Sequence, residues 1–211
     1  MNDTAEILIV FVIILASMIL HELAHGVVAY LLGDETAKRE GRLSLNPLVH
    51  LDPILSIALP FILYLMKAPV IGGAKPVPIN TKNLKWGVWG MALVGIAGPL
   101  VNILIAFLAY VWCRGAFFTQ LGSPALSIAV DIVNINLSLA TFNLLPIPPL
   151  DGSRVLYAIA PDGVRSVMER LEGTVGIAIV FALILLMGKV IPDITSWMTQ
   201  GIINFFDLLV G

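Results

Sequence analysis

Residues 7–20 form an unbroken apolar run of fourteen residues in which only Ser17 is polar, and the run leads directly into His21-Glu22-Leu23-Ala24-His25. The apolar character then resumes through Val27, Val28, Ala29, Tyr30, Leu31 and Leu32. A segment this long and this apolar satisfies its backbone groups internally as a helix, and it needs lipid or a large core around it. Two histidines four apart lie on one face of that helix and can grip one metal ion. The glutamate between them sits about 100° round the helix, within reach of a water beside that ion. In a soluble bundle such histidines could simply be satisfied in the core. Here three ionisable groups share one membrane-length helix, where each costs at least ~2.5 kcal/mol, and such groups usually mark function.

The rest of the chain agrees with a membrane setting. Of 211 residues, 58% are hydrophobic and 12% charged, where a soluble domain carries about 25% charged residues. Mean hydropathy is +0.96. One or two helices would leave most of these apolar residues unexplained, so an all-α polytopic membrane protein is expected. Net charge is −2, and nothing points to nucleic acid. The single Cys113 excludes an intramolecular disulfide and a cysteine-rich metal site. The N-terminus lacks a basic region, so the first helix is expected to stay in the mature protein. No repeat or low-complexity tract interrupts the sequence, which reads as one membrane-embedded domain over 1–211.

Four spans are expected. The first runs from about residue 4 to 32, with Thr4 as a plausible N-cap and Gly33 as C-cap. The others run over about 86–112, 126–145 and 174–191. Residues 54–66 are apolar but few, ~20 Å as a helix and broken by Pro60, and are expected to be buried or re-entrant. Residues 42–47 alternate polar and apolar, which suggests a short strand. Pro76 and Pro78 exclude a helix interior or a central strand for residues 75–80 and leave an extended edge. Residues 194–210 carry Trp197, Phe205, Phe206 and Asp207 and are expected to form an interfacial C-terminal helix.

Charge sets the orientation. Ten Lys and Arg fall in the 33–85 and 147–173 loops, against Arg114 and Lys189 on the opposite side. The basic loops should face the cytoplasm and both termini the other side. His21 then lies in the cytoplasmic half of the first helix. A catalytic zinc usually has three protein ligands and a water. Cys113 falls on the far side. His50 is possible; the better candidate is Asp151, which a proline-rich turn delivers where the third helix ends in Asn143-Leu-Leu-Pro-Ile-Pro-Pro-Leu-Asp-Gly152. Asp151 could also be an ordinary helix N-cap. It reaches the His21 side only if residues 54–66 do not span. A structural role is favoured for His50 and Asp52.

With these motifs in place the chain resembles the site-2 proteases, a family of intramembrane zinc metalloproteases. That family pairs His-Glu-x-x-His in one membrane helix with Asn-x-x-Pro-x-Pro-x-Leu-Asp-Gly in a later one, and both stand here in order. Asn46-Pro47-Leu-Val-His50-Leu-Asp-Pro53, Ala74-Lys-Pro-Val-Pro78 and Ala97-Gly-Pro-Leu-Val-Asn102 extend the likeness over roughly residues 15–155. Ser153 stands where a second glycine is common and Leu55 where glycine is frequent; neither touches an expected ligand. There is no PDZ-like insertion, so the chain resembles a compact form. The resemblance implies that His21, His25 and Asp151 bind one Zn2+. Glu22 is implied as the general base that takes a proton from the attacking water and returns it to the leaving amine. Asn102 and Asn143 could support an oxyanion or orient the substrate, or could instead make helix–helix hydrogen bonds. Asn136 and the glycines 90, 95 and 98 read as packing residues, and Pro99 as a kink.

The expected activity is hydrolysis of peptide bonds in or near transmembrane segments of other membrane proteins, at the cytoplasmic side of a cell membrane. The extended edge at 75–80 could hold an unwound substrate by strand addition. Two alternatives belong to other classes. A catalytically silent relative that binds membrane segments would not need Glu22. A metal transporter would need a polar path across the whole membrane, whereas the strongly polar intramembrane residues cluster toward one side, apart from Asp131 and Asn134.

Overall fold

The computed structural model describes residues 3–50, 75–116, 123–172, 182 and 186–211. Among these are seven α-helices: α1 (Asp3–Leu31), α2 (Thr36–Arg39), α3 (Val88–Ala116), α4 (Pro124–Asn143), α5 (Gly152–Ile159), α6 (Asp162–Leu171) and α7 (Val190–Val210). Short 3₁₀ turns lie at Pro47–His50 and Thr81–Asn83. Among the described residues three helices are long and apolar enough to cross a membrane: Ala5–Leu31, Val88–Gly115 and Pro124–Asn143. These are the first three expected spans, displaced by a few residues at their ends. Local chemistry sets α4's start: Pro124 opens the helix, and the Ser123 hydroxyl accepts the Leu126 N–H.

Helix α3 is central and packs against α1, α4, α5 and α7. Small side chains allow this, with Ala29, Ala106 and Ala140 fully buried. One apolar cluster joins Ala29 of α1 and Leu32 just beyond it to Leu84 and Val94. A second joins Ala106 of α3, Val133 and Leu137 of α4, and Phe206 of α7.

The expected C-terminal helix forms as α7, which is not among the helices apolar enough to cross a membrane and which packs against α3 and α4. At one end of α7, Ile191, Thr195 and Thr199 flank Ser138 and Phe142, near the C-terminal end of α4. Toward its other end Phe206 is buried against Phe107 and Tyr110. Beside it Asp207 accepts the Tyr110 hydroxyl at 2.5 Å and pairs with Arg114 at 3.3 Å. The helix therefore runs lengthwise beside α3 and α4, over ~31 Å. Its polar residues are matched within the bundle: Asp207 finds a phenol and a guanidinium on α3, and Gln200 donates to Asn204 one turn on.

No strand forms among the described residues. Segments 42–46 and 75–80 are irregular, because side chains rather than a neighbouring strand take up the backbone groups of 75–80, and Pro76 and Pro78 bring no donors. The apolar stretch 54–66 and most of the expected span 174–191 lie outside the described residues. The flanks of the first stretch meet, with Lys75 N–H donating to the His50 carbonyl at 2.8 Å. The flanks of the second lie at one end of the bundle. Glu172 pairs with Arg154 of α5, and Ile191 sits near Phe142.

Candidate metal centre

Helix α1 carries His21 and His25 one turn apart, with ring centroids 4.7 Å apart and ring planes at 81°. Both are buried, at 7% and 6% exposure. The third group comes from 130 residues later in the chain. Pro146, Pro148 and Pro149 stop α4 from continuing, and the turn 144–150 delivers Asp151 at the start of α5. Gly95 of α3 admits this turn, for a Cβ there would lie 3.0 Å from the Asp151 carbonyl oxygen and 2.9 Å from the Arg154 Cβ. Asp151 Oδ2 then lies 2.9 Å from His21 Nε2 and 3.3 Å from His25 Nε2. Among the described residues, these three form a group whose ligand atoms all lie within 4.8 Å of one another.

The outer nitrogens fix which way the rings present their lone pairs. His21 Nδ1 lies 2.5 Å from Asn102 Oδ1, and His25 Nδ1 lies 2.7 Å from the Val94 carbonyl oxygen. Both acceptors require Nδ1 to carry the proton, so each Nε2 lone pair faces Asp151. Two lone pairs pressed against one carboxylate oxygen repel unless a proton or a cation lies between them. One divalent ion satisfies all three.

Helix α3 also leaves room for such an ion. A Cβ on Gly98 would be driven into the Nε2 atoms of both histidines, closer than side-chain carbons approach one another. Gly98 is thus the residue that keeps the space beside the two nitrogens open. The donor set, the ring orientation and this gap fit a tetrahedral ion with two imidazoles and one carboxylate.

Glu22 is half-buried, and its Oε2 accepts the Val77 N–H at 3.0 Å. Asn102 is fully buried, with its amide engaged on both sides: Oδ1 on His21, and Nδ2 donating to Asn136 Oδ1 at 2.8 Å. Asn136 is itself fully buried and donates to the Ile132 carbonyl of its own helix at 2.9 Å. Asn143 donates to the Leu139 carbonyl at 3.0 Å. His50 stands apart from the histidine pair, buried, with Nε2 2.7 Å from the Ser44 carbonyl oxygen. Of the residues singled out in the sequence, His21, His25, Asp151 and Asn102 are brought together, with Glu22 adjacent; Asn143 and His50 make their own local bonds.

Four participants were not foreseen in these places: Gly98, the Val94 carbonyl, Asn136 as the partner of Asn102, and the Val77 N–H. The signal for the first and for Asn102 was present in Ala97-Gly-Pro-Leu-Val-Asn102. Its glycine clears the ion's space, and its asparagine meets His21 one turn further on.

Comparison with known proteins agrees with this geometry. The profile of Peptidase family M50 matches residues 123–187. The chain is 39% identical over 165 residues to YwhC of Bacillus subtilis, covering 75% of this chain and 72% of that protein. It is 30% identical over 209 residues to Rip2 of Mycobacterium tuberculosis, covering 94% of this chain and 74% of that one. Both carry the description "Putative zinc metalloprotease". Zinc metalloprotease MJ0392 of Methanocaldococcus jannaschii is 28% identical over 159 residues, 75% of this chain and 36% of that protein. No solved structure matches the chain. With YwhC and Rip2 covered over most of their length, the chain belongs to peptidase family M50, the site-2 proteases.

Proposed function

We propose that this protein is an intramembrane zinc endopeptidase that cleaves transmembrane or membrane-adjacent segments of other membrane proteins. The observation that carries the reading is the convergence of His21 Nε2, His25 Nε2 and Asp151 Oδ2 beside the gap at Gly98, with Glu22 next to the pair. His21, His25 and Asp151 would hold one zinc ion, which supplies a Lewis acid and an acidified water at neutral pH. Asn102 and the Val94 carbonyl hold the two rings in the ligating tautomer. Glu22 takes the proton of the attacking water and returns it to the leaving amine. Asn143 supports the substrate carbonyl by exchanging the Leu139 carbonyl for it.

The site lies toward the end of α1 where the basic loops gather. Four spans would account for the packing of the described helices: α1, α3, α4 and α7. Lys189 then joins the basic, cytoplasmic side and leaves Arg114 alone on the other. The natural substrate for a peptidase set in such a bundle is a membrane segment that enters from the bilayer and unwinds beside residues 75–80. Val77 and Ile79 pack toward α1 in that segment, so an incoming strand meets its outer edge.

The test is cleavage in reconstituted bilayers of a single-span substrate whose products are mapped by mass spectrometry. Cuts within the apolar segment or at its cytoplasmic boundary are expected. Cuts confined to a soluble extension, with the span intact, would contradict the intramembrane assignment.

A further inference from the structure

Glu22 does not meet Val77 by accident of packing. In Pro76-Val77-Pro78 the two prolines have no N–H, so Val77 holds the one backbone donor of the tripeptide, and Glu22 Oε2 accepts it at 3.0 Å. The other end of the same peptide unit is the Pro76 carbonyl. Arg42 Nη2 donates to that oxygen at 3.1 Å and to the Lys75 carbonyl at 2.7 Å, while Nη1 donates to the Val49 carbonyl. Arg42 is 6% exposed, so its guanidinium is buried and bonded to backbone carbonyls. A trans peptide is a rigid plane whose C=O and N–H point opposite ways. A cation on the C=O side therefore fixes the direction of the N–H and polarises it toward the carboxylate. Pro78 adds a further constraint, since it holds Val77 in the extended region. The Val77 side chain, 6% exposed, packs against α1 at Gly26, where a Cβ would lie 3.2 Å from it.

We infer that Arg42 is a positioning residue for the base. Acting through the Pro76–Val77 peptide, it holds one oxygen of Glu22 and so turns the other toward the reacting water. This rests on the reading of Glu22 as general base, and it assigns to the Lys-Pro-Val-Pro stretch a catalytic duty in addition to any contact with substrate. It also explains why a buried guanidinium stands in a loop between two membrane helices, where a lysine could not bind three carbonyls in a fixed fork.

Amide exchange and steady-state kinetics on the zinc-loaded protein test it together. Val77 carries the sole exchangeable backbone hydrogen in residues 76–78. Its exchange should speed by about tenfold or more in Glu22→Ala and in Arg42→Ala, as expected for loss of a bond to a charged group. The Asn80 amide, held separately by Asp34 at 2.6 Å, should be unmoved. In turnover, Arg42→Ala and Val77→Pro should each lower kcat by about tenfold with KM within about twofold and zinc content unchanged. The double variant should be no slower than the slower single variant, and Arg42→Lys should recover part of the loss. Unchanged Val77 exchange in Glu22→Ala, or losses that multiply in the double variant, would overturn the inference. Should Arg42→Ala fail to fold, Arg42→Lys decides: it should speed Val77 exchange and lower kcat with zinc content unchanged, and wild-type exchange and turnover in it would overturn the inference. Full turnover by Glu22→Gln would instead remove the base assignment while leaving the exchange result standing.

Discussion

At the scale of single residues, the centre is built as much by what surrounds the ligands as by the ligands. Each histidine has one nitrogen spoken for, His21 by Asn102 and His25 by the Val94 carbonyl. Asn102→Ala should lower zinc affinity by about 10- to 100-fold, read by competition with a chelator. Asn102→Asp, which keeps the acceptor oxygen, should recover most of it. Gly98→Ala places a methyl group where the ion must sit and should abolish stoichiometric zinc, measured by metal analysis, while circular dichroism retains the helical signal. The histidine pair and Glu22 were legible because helical spacing alone puts them on adjoining faces. Asp151 was legible as a candidate because a proline-rich turn ends a membrane helix there. The duty of Asn102 was not, because an amide in a membrane helix reads the same whether it meets a substrate, a neighbouring asparagine or a histidine. Only its distance to His21, across 81 residues of chain, separates these readings.

At the scale of elements, one carboxylate fastens the end of α1 to the segment that faces the site. Asp34 is fully buried and accepts from the Thr36 N–H and hydroxyl, the Asn80 N–H and the Asn83 side-chain amide. Burial alone would push its pKa up. The hydrogen bonds from Thr36, Asn80 and Asn83 outweigh burial and hold it below the ordinary carboxylate value. The charged form is thus favoured by folding. The stabilisation is present above the unfolded value of about 3.9 and is lost as pH falls through the depressed folded one. Asp34→Ala should cost roughly 3 kcal/mol at neutral pH by removing four hydrogen bonds to a charged acceptor. The gap in stability between wild type and Asp34→Asn, measured by denaturant unfolding, should be full at pH 7 and shrink below about pH 4. A gap that persists unchanged in acid would show that the carboxylate's charge is not what holds the segment. Helix positions α1, α3 and α4 were legible to within a few residues, because long apolar runs admit few alternatives. The irregular course of 75–80 was not, since its partners Arg42, Glu22 and Asp34 are side chains that no local pattern announces. The packing of α7 was not legible for a related reason, its polar groups being matched by Tyr110 and Arg114 on another helix.

At the scale of the whole molecule, the account requires that α1 and α4 end at the same face, that α3 returns between them and that α7 runs back beside α3. Cysteines placed singly at positions 40, 80, 162 and 189 should label from one side of the membrane, and native Cys113 together with a cysteine at 211 from the other. Labelling of 189 and 113 from the same side would contradict α7 as the fourth span. The central claim is that this bundle exists to present one ion and one base to a peptide bond. The most direct measurement is single-turnover cleavage of a membrane substrate by Glu22→Gln beside wild type, with zinc determined in the same samples. The account predicts one zinc per chain in both, and cleavage lost in the variant by at least about 100-fold. Cleavage at the wild-type rate by fully zinc-loaded Glu22→Gln would contradict it.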